Sequence, residues 1–288
     1  MATTTFTAGA GNNGTDAGFR RWGTGISTAL GVLGFVKTVD TGQIDWLTVT
    51  RPTLADSKRG YEIWRFADAL QATAPLYFRI DYGSGGGTPS GYPIGLWVTV
   101  GKGSSGAGVI TNVLVPEFQV AAYTYSSSDY LSYLANSAGE MLTVMLQPGL
   151  VGHGPWFVIE RSRTSTGTPT GDAVVCAWMR SSGPSTWSAN QVSANYSSAT
   201  TYADQANRIP VGVPYVTAMG VTTAPVFPSL AVSGPGALWQ PRSFVAGAAL
   251  GDVGATGTSL SVPSWGTYLV TGQACDNANL HVACLAWY

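Results

Sequence analysis

From Leu76 to Tyr82 the chain alternates without a break: Leu76, Phe78, Ile80 and Tyr82 point one way, Tyr77, Arg79 and Asp81 the other. A repeat of two belongs to an extended strand with one face in a core and the other outside. Short apolar segments of similar length recur at 96–100, 109–115, 141–146, 156–163, 173–179, 215–221, 267–271 and 280–287, separated by Gly, Pro, Ser and Asn. Several are apolar throughout, as strands covered on both faces are. Many short strands with regular turn signals define an all-β protein. The expected fold is an antiparallel β-sandwich of jelly-roll type, in one or two domains, with few short helices.

Helix signals are sparse. Trp22, Ile26, Ala29, Leu30 and Leu33 form a stripe of helical period, but Gly23, Gly25, Gly31 and Gly34 interrupt it, each costing about 1 kcal/mol relative to Ala. A second helix is expected over 128–138, where Ser128 can cap, Tyr130, Leu131 and Leu134 share a face, and Gly139 sits at the stop. One helical turn is expected at 67–72, ended by Pro75.

Charge is thin and unevenly placed. The chain has 14 Lys and Arg against 15 Asp and Glu, a net charge of −1 and 10% charged residues, where an ordinary soluble domain has about 25%. Residues 1–81 hold 8 basic and 7 acidic side chains; residues 82–288 hold 6 and 8. This balance gives no basic footprint for nucleic acid, and no apolar run reaches the length of a membrane span. The segment MATTTFTAGAGNN has no basic stretch followed by an apolar one, so synthesis in a cytoplasm without signal-directed export is the expectation. The asymmetry suggests two regions: residues 1–120, more charged and suited to attachment, and residues 121–288, a low-charge β-sandwich. A surface of Ser, Thr, Gly and Asn repels its own copies weakly. Coverage by neighbouring subunits is therefore expected, as a homotrimer held chiefly through the region after residue 82.

The motifs that carry chemistry are weak. Gly101-Lys102-Gly103-Ser104-Ser105-Gly106 matches the dinucleotide-binding glycine pattern, yet an apolar strand follows where a helix is required; it reads as a hairpin turn. Two His and three Cys in the chain show no metal-ligand spacing, and neither His153 nor His281 lies beside a nucleophile elbow. Asp81 beside Arg79 reads as a surface ion pair. In a hairpin through 276–279, Cys275 would face Leu280 and Cys284 would face Thr271, about 13 Å apart along the ladder and beyond disulfide reach; reduced thiols are expected. No catalytic residue and no cofactor are assigned. Trp187, Tyr196 and Tyr202, in a Ser- and Asn-rich stretch, are the candidates for contact with a glycan or with another subunit. Gly87-Thr88-Pro89-Ser90-Gly91 is echoed by Gly167-Thr168-Pro169-Thr170-Gly171, with Pro75 and Pro155 at matching offsets. The echo reads either as coincident loop chemistry or as two related hairpins.

The stretch Gly60-Tyr61-Glu62-Ile63-Trp64-Arg65-Phe66, then Leu70-Gln71-Ala72-Thr73-Ala74-Pro75 and the strand after it, resembles proteins encoded among bacteriophage tail genes. The low-charge, tryptophan-dotted β-chain as a whole resembles virion proteins of tailed phages. This resemblance implies a non-enzymatic structural subunit, a tail fibre or other tail appendage serving virion assembly or host attachment. Its partners would be copies of itself, other virion proteins and a host surface glycan. A capsid decoration protein and a polysaccharide-binding or depolymerising tail protein are the alternatives.

Overall fold

The computed structural model describes residues 3–11, 15–54, 56–84, 94–121, 130–137, 139–148, 156–164, 166, 168–178, 192–196, 226–228, 231–233, 237–239, 244–247, 259–262, 266–274 and 282–286. Strand β1 (Thr3–Gly11) is followed by helix α1 (Asp16–Val32). A five-stranded sheet comes next, from β2 (Val36–Lys37), β3 (Ser57–Arg65), β4 (Tyr77–Ser84), β5 (Ile94–Ser104) and β6 (Ile110–Ala121), in that order. A six-stranded sheet runs β1 and then β7 (Tyr130–Ser137), β8 (Met141–Pro148), β9 (Trp156–Arg163), β10 (Pro169–Trp178) and β11 (Val192–Tyr196). Within both sheets the pairings are antiparallel and the connections sequential, apart from the return of β1.

Beyond residue 200 the strands are shorter: β12 (Val226–Pro228), β13 (Ala231–Ser233), β14 (Ala237–Trp239), β15 (Phe244–Gly247), β16 (Ser259–Val262), β17 (Gly266–Ala274) and β18 (Val282–Ala286). They form a five-stranded sheet, β12-β15-β18-β17-β16, and a β13–β14 pair. The protein is all-β in class, with one long helix among the described residues. The strand expected at 215–221 lies outside the described residues.

Helix α1 is longer than its apolar stripe suggests. It starts at Asp16 because Thr15 caps it, its hydroxyl oxygen accepting from the Gly18 amide at 3.0 Å. It stops because Gly34, at φ +91°, turns the chain, with the Gly34 amide donating to Gly31 and the Phe35 amide to Leu30, both at 3.0 Å. That pair of bonds is the Schellman stop, which favours glycine at this position. The turn at 67–72 is a single 3-10 turn, Ala69–Ala72, capped by Asp68.

The helix expected at 128–138 is instead strand β7, hydrogen-bonded to β1 on one side and β8 on the other. Two flanking partners outweigh local helix signals. Gly139, at φ +73°, is a turn residue between β7 and β8 and not a helix stop. Tyrosine and β-sheet pairing suit each other, and nothing in a short Ser-to-Gly segment separates a helix cap from a hairpin end.

One core serves both large sheets. Phe19, Trp22, Ile26 and Leu30 of α1 pack with Phe78, Ile80 and Tyr82 of β4, and the cluster continues through Val98 of β5 to Val144, Phe157 and Ile159 of the six-stranded sheet. Phe118 of β6 meets Phe157 of β9 edge-on, ring centres 6.1 Å apart. The change of sheet falls near residue 120, but β1 pairs across that point with β7, and the core is continuous.

The alternation at 76–82 is realised: Leu76, Phe78, Ile80 and Tyr82 are all fully buried. Its outward face is not a free surface, however. Asp81 is 2% exposed, because the far end of the β5–β6 hairpin folds over that face and the Gly108 carbonyl accepts from Arg79 Nη1 at 2.5 Å. The Arg79–Asp81 pair is therefore a covered, two-pronged bond rather than a surface one. Of the segment 101–106, residues 101–104 finish strand β5, paired with β6, and only Ser105 and Gly106 enter the turn, with Gly106 and Gly108 at φ +79° and +87°. Both proline-led strands of the echo, β4 and β9, pair antiparallel with the strand after them. On β18, Cys284 lies opposite Val270 instead of Thr271, since the β17–β18 register shifts between Val270 and Ala274; Cys275 is outside the described residues.

Candidate functional site: a loop pinned by a buried carboxylate

Gly60, Glu62 and Trp64 share one face of β3, the face toward the core. Glu62 is 0% exposed, and an ionised carboxylate there requires donors on both oxygens. It has them. Oε1 accepts from Ser27 Oγ at 2.8 Å, Lys37 Nζ at 2.6 Å and Trp46 Nε1 at 3.1 Å. Oε2 accepts from Tyr82 Oη at 2.8 Å and Trp64 Nε1 at 3.2 Å. Burial, together with the charge and hydrogen bond of Glu62 and the charge of Asp81, pushes the Tyr82 phenol well above its ordinary pKa of 10.0. Tyr82 is a fixed donor.

These donors come from five parts of the chain: helix α1, strands β2, β3 and β4, and the long connection from 38 to 56. Tethers hold the described residues of that connection in place. Trp46 packs its indole on Phe19 and Tyr82, ring centres 5.7 and 4.8 Å away. Its ring occupies the space that a side chain at Gly23 would fill, since a Cβ there would come within 1.8 Å of it. The helix glycine is a slot for the indole. Next to Trp46, the Asp45 carboxylate accepts from the Leu47 amide at 2.9 Å and the Thr48 hydroxyl at 2.8 Å. Those two bonds outweigh slight desolvation and hold its pKa below the usual value. Arg20 Nη1 donates to the Val49 carbonyl, Arg59 Nη2 to the Arg51 carbonyl, each at 3.0 Å, and the Arg51 amide to Asp16 at 2.9 Å.

At its start the connection is clasped to the β5–β6 hairpin. Asp40 accepts from the Gly108 amide at 3.0 Å and from the Ser104 hydroxyl, and the Thr41 amide donates to Gly106 at 2.9 Å. Burial would raise the Asp40 pKa, but the bonds from Ser104, Thr38, Gly108 and Gly106 together bring it below the ordinary value.

A surface connection so firmly held still shows apolar side chains outward: Val39 is 98% exposed, Leu47 86% and Leu54 68%. Long ordered connections on a rigid scaffold are common carriers of function. The arrangement suits contact with another molecule. It does not suit acid–base chemistry, because both oxygens of Glu62 are already occupied, Asp40 accepts from the β5–β6 hairpin and Asp45 accepts from its own turn.

Of the aromatics singled out in the sequence, Tyr196 lies on β11 opposite Val174, while Trp187 and Tyr202 lie outside the described residues. The sequence reading missed Glu62 and Trp46. The alternation of β3 sets Glu62 on the face of Trp64, but no spacing in the chain marks Ser27, Lys37, Trp46 and Tyr82 as its partners. Among the described residues no group of three His, Cys, Asp or Glu is placed to hold a metal ion, and no helix is long and apolar enough to cross a membrane. Comparison with protein-family models, with curated proteins and with solved structures finds no match to this chain.

Proposed function

We propose that this chain is a non-enzymatic structural subunit of a bacteriophage virion, a tail fibre or other tail appendage that assembles as a homo-oligomer. The observation that carries the reading is the tethered 38–56 connection. Its polar groups are used to hold shape, and three of its aliphatic side chains, Val39, Leu47 and Leu54, are turned to solvent. Low overall charge supports assembly in the same direction, since subunits that cover one another need little charge for solubility. The resemblance of 60–82 to phage tail-gene products supplies the virion context.

In this reading the low-charge remainder after residue 82 packs copy against copy as a trimer, through an interface above ~2,000 Å² of the obligate class, and residues 1–81 face a different partner. The test is negative-stain imaging of virions from the encoding phage, labelled with antibody against the purified chain. Label on the tail is the expected result. Label on the head would make the chain a capsid decoration protein, and unlabelled virions would overturn the virion reading altogether.

A further inference from the structure

We draw no further inference here: the strongest candidate, the cavity of about 350 Å³ between the end of β2 and the 3-10 turn at 69–72, carries nothing, because its one carboxylate, Asp68, is already held by Arg161 and nothing in the structure shows what would fill it.

Discussion

Arg161 and Asp68 stand 93 residues apart in sequence and form a buried ion pair. The Arg161 side chain is 0% exposed and that of Asp68 4%. Nη2 donates to Oδ1 at 2.9 Å and Nε donates to Oδ2, while Nη1 reaches the carbonyls of Ala74 at 3.0 Å and Thr170 at 3.3 Å. One guanidinium from the six-stranded sheet thus fixes the connection between β3 and β4 of the other sheet. The fork and the carbonyls use most of its five donors, which is how so buried a cation is tolerated.

Removing one member leaves the other buried and unpaired, at a cost of about 3–5 kcal/mol. Asp68→Ala should therefore lower the free energy of unfolding in urea by that order, and Arg161→Met should do the same. In a double-mutant cycle the pair should cost clearly less than the two single changes added together. Additive costs would mean that the two residues act independently.

Gly23→Ala sets two effects against each other. Helix propensity favours Ala by about 1 kcal/mol, and a reading of α1 from its glycines alone predicts a more stable protein. The added methyl meets the Trp46 ring at 1.8 Å, and overpacking of this kind costs about 1–3 kcal/mol as well as drawing the indole off Glu62. We expect net destabilisation by urea unfolding. In a Trp46→Ala background the same change should become stabilising, because the clash is gone and the propensity remains.

How far the fold can be read from the chain differs sharply between its parts. The strands announced by alternation, such as 76–82, have the face assignment that the sequence gives them, because a period of two leaves only one choice of buried side. β7 was hidden because its identity comes from β1, more than a hundred residues earlier. Asp81 looked exposed because alternation describes a sheet face but not what folds over it, here the end of a hairpin clasped by Asp40. Glu62 was overlooked for a related reason. Its partners Ser27, Lys37, Trp46, Trp64 and Tyr82 are drawn together only by the tertiary fold, and no spacing in the chain marks them as a set.

Glu62→Gln should be costly although it is nearly isosteric. The amide offers one oxygen and two N–H donors to surroundings made of donors, namely Ser27, Lys37, Trp46, Trp64 and Tyr82. A loss of about 2–4 kcal/mol is expected, with Trp46 released from its anchor. Limited proteolysis should then cut within 38–56 more readily than in the parent. Unchanged stability and unchanged cleavage would show that the carboxylate does not hold the connection.

Acid should weaken the clasp at Asp40. Its carboxyl binds a proton less tightly folded than unfolded, since the folded pKa lies below 3.8. The unfolded chain therefore takes up more protons in that range, and the stabilisation is fully present above 3.8 and is lost as pH falls through the lowered value. Asp40→Asn should be less stable than the parent at neutral pH, and the gap between the two melting temperatures should close as pH drops below 3.8. A gap that is constant with pH would separate Asp40 from the acid response.

Alkali should act through Tyr82, in the opposite direction. The folded phenol keeps its proton well above the ordinary value of 10.0, because burial and the neighbouring Glu62 charge disfavour the phenolate. The unfolded chain releases that proton from pH 10 upward, so stability from Tyr82 is full below 10 and lost as pH rises toward the raised folded value. Tyr82→Phe removes both the proton and the 2.8 Å bond to Glu62, so it should cost about 1–3 kcal/mol at neutral pH. Its stability should then decline less steeply above pH 10 than that of the parent, the remaining slope coming from the other tyrosines. Chemical unfolding of both proteins at neutral pH and at steps above 10 checks this. Parallel declines would show that Tyr82 ionises as freely in the fold as out of it, and that the Glu62 cluster is open to solvent.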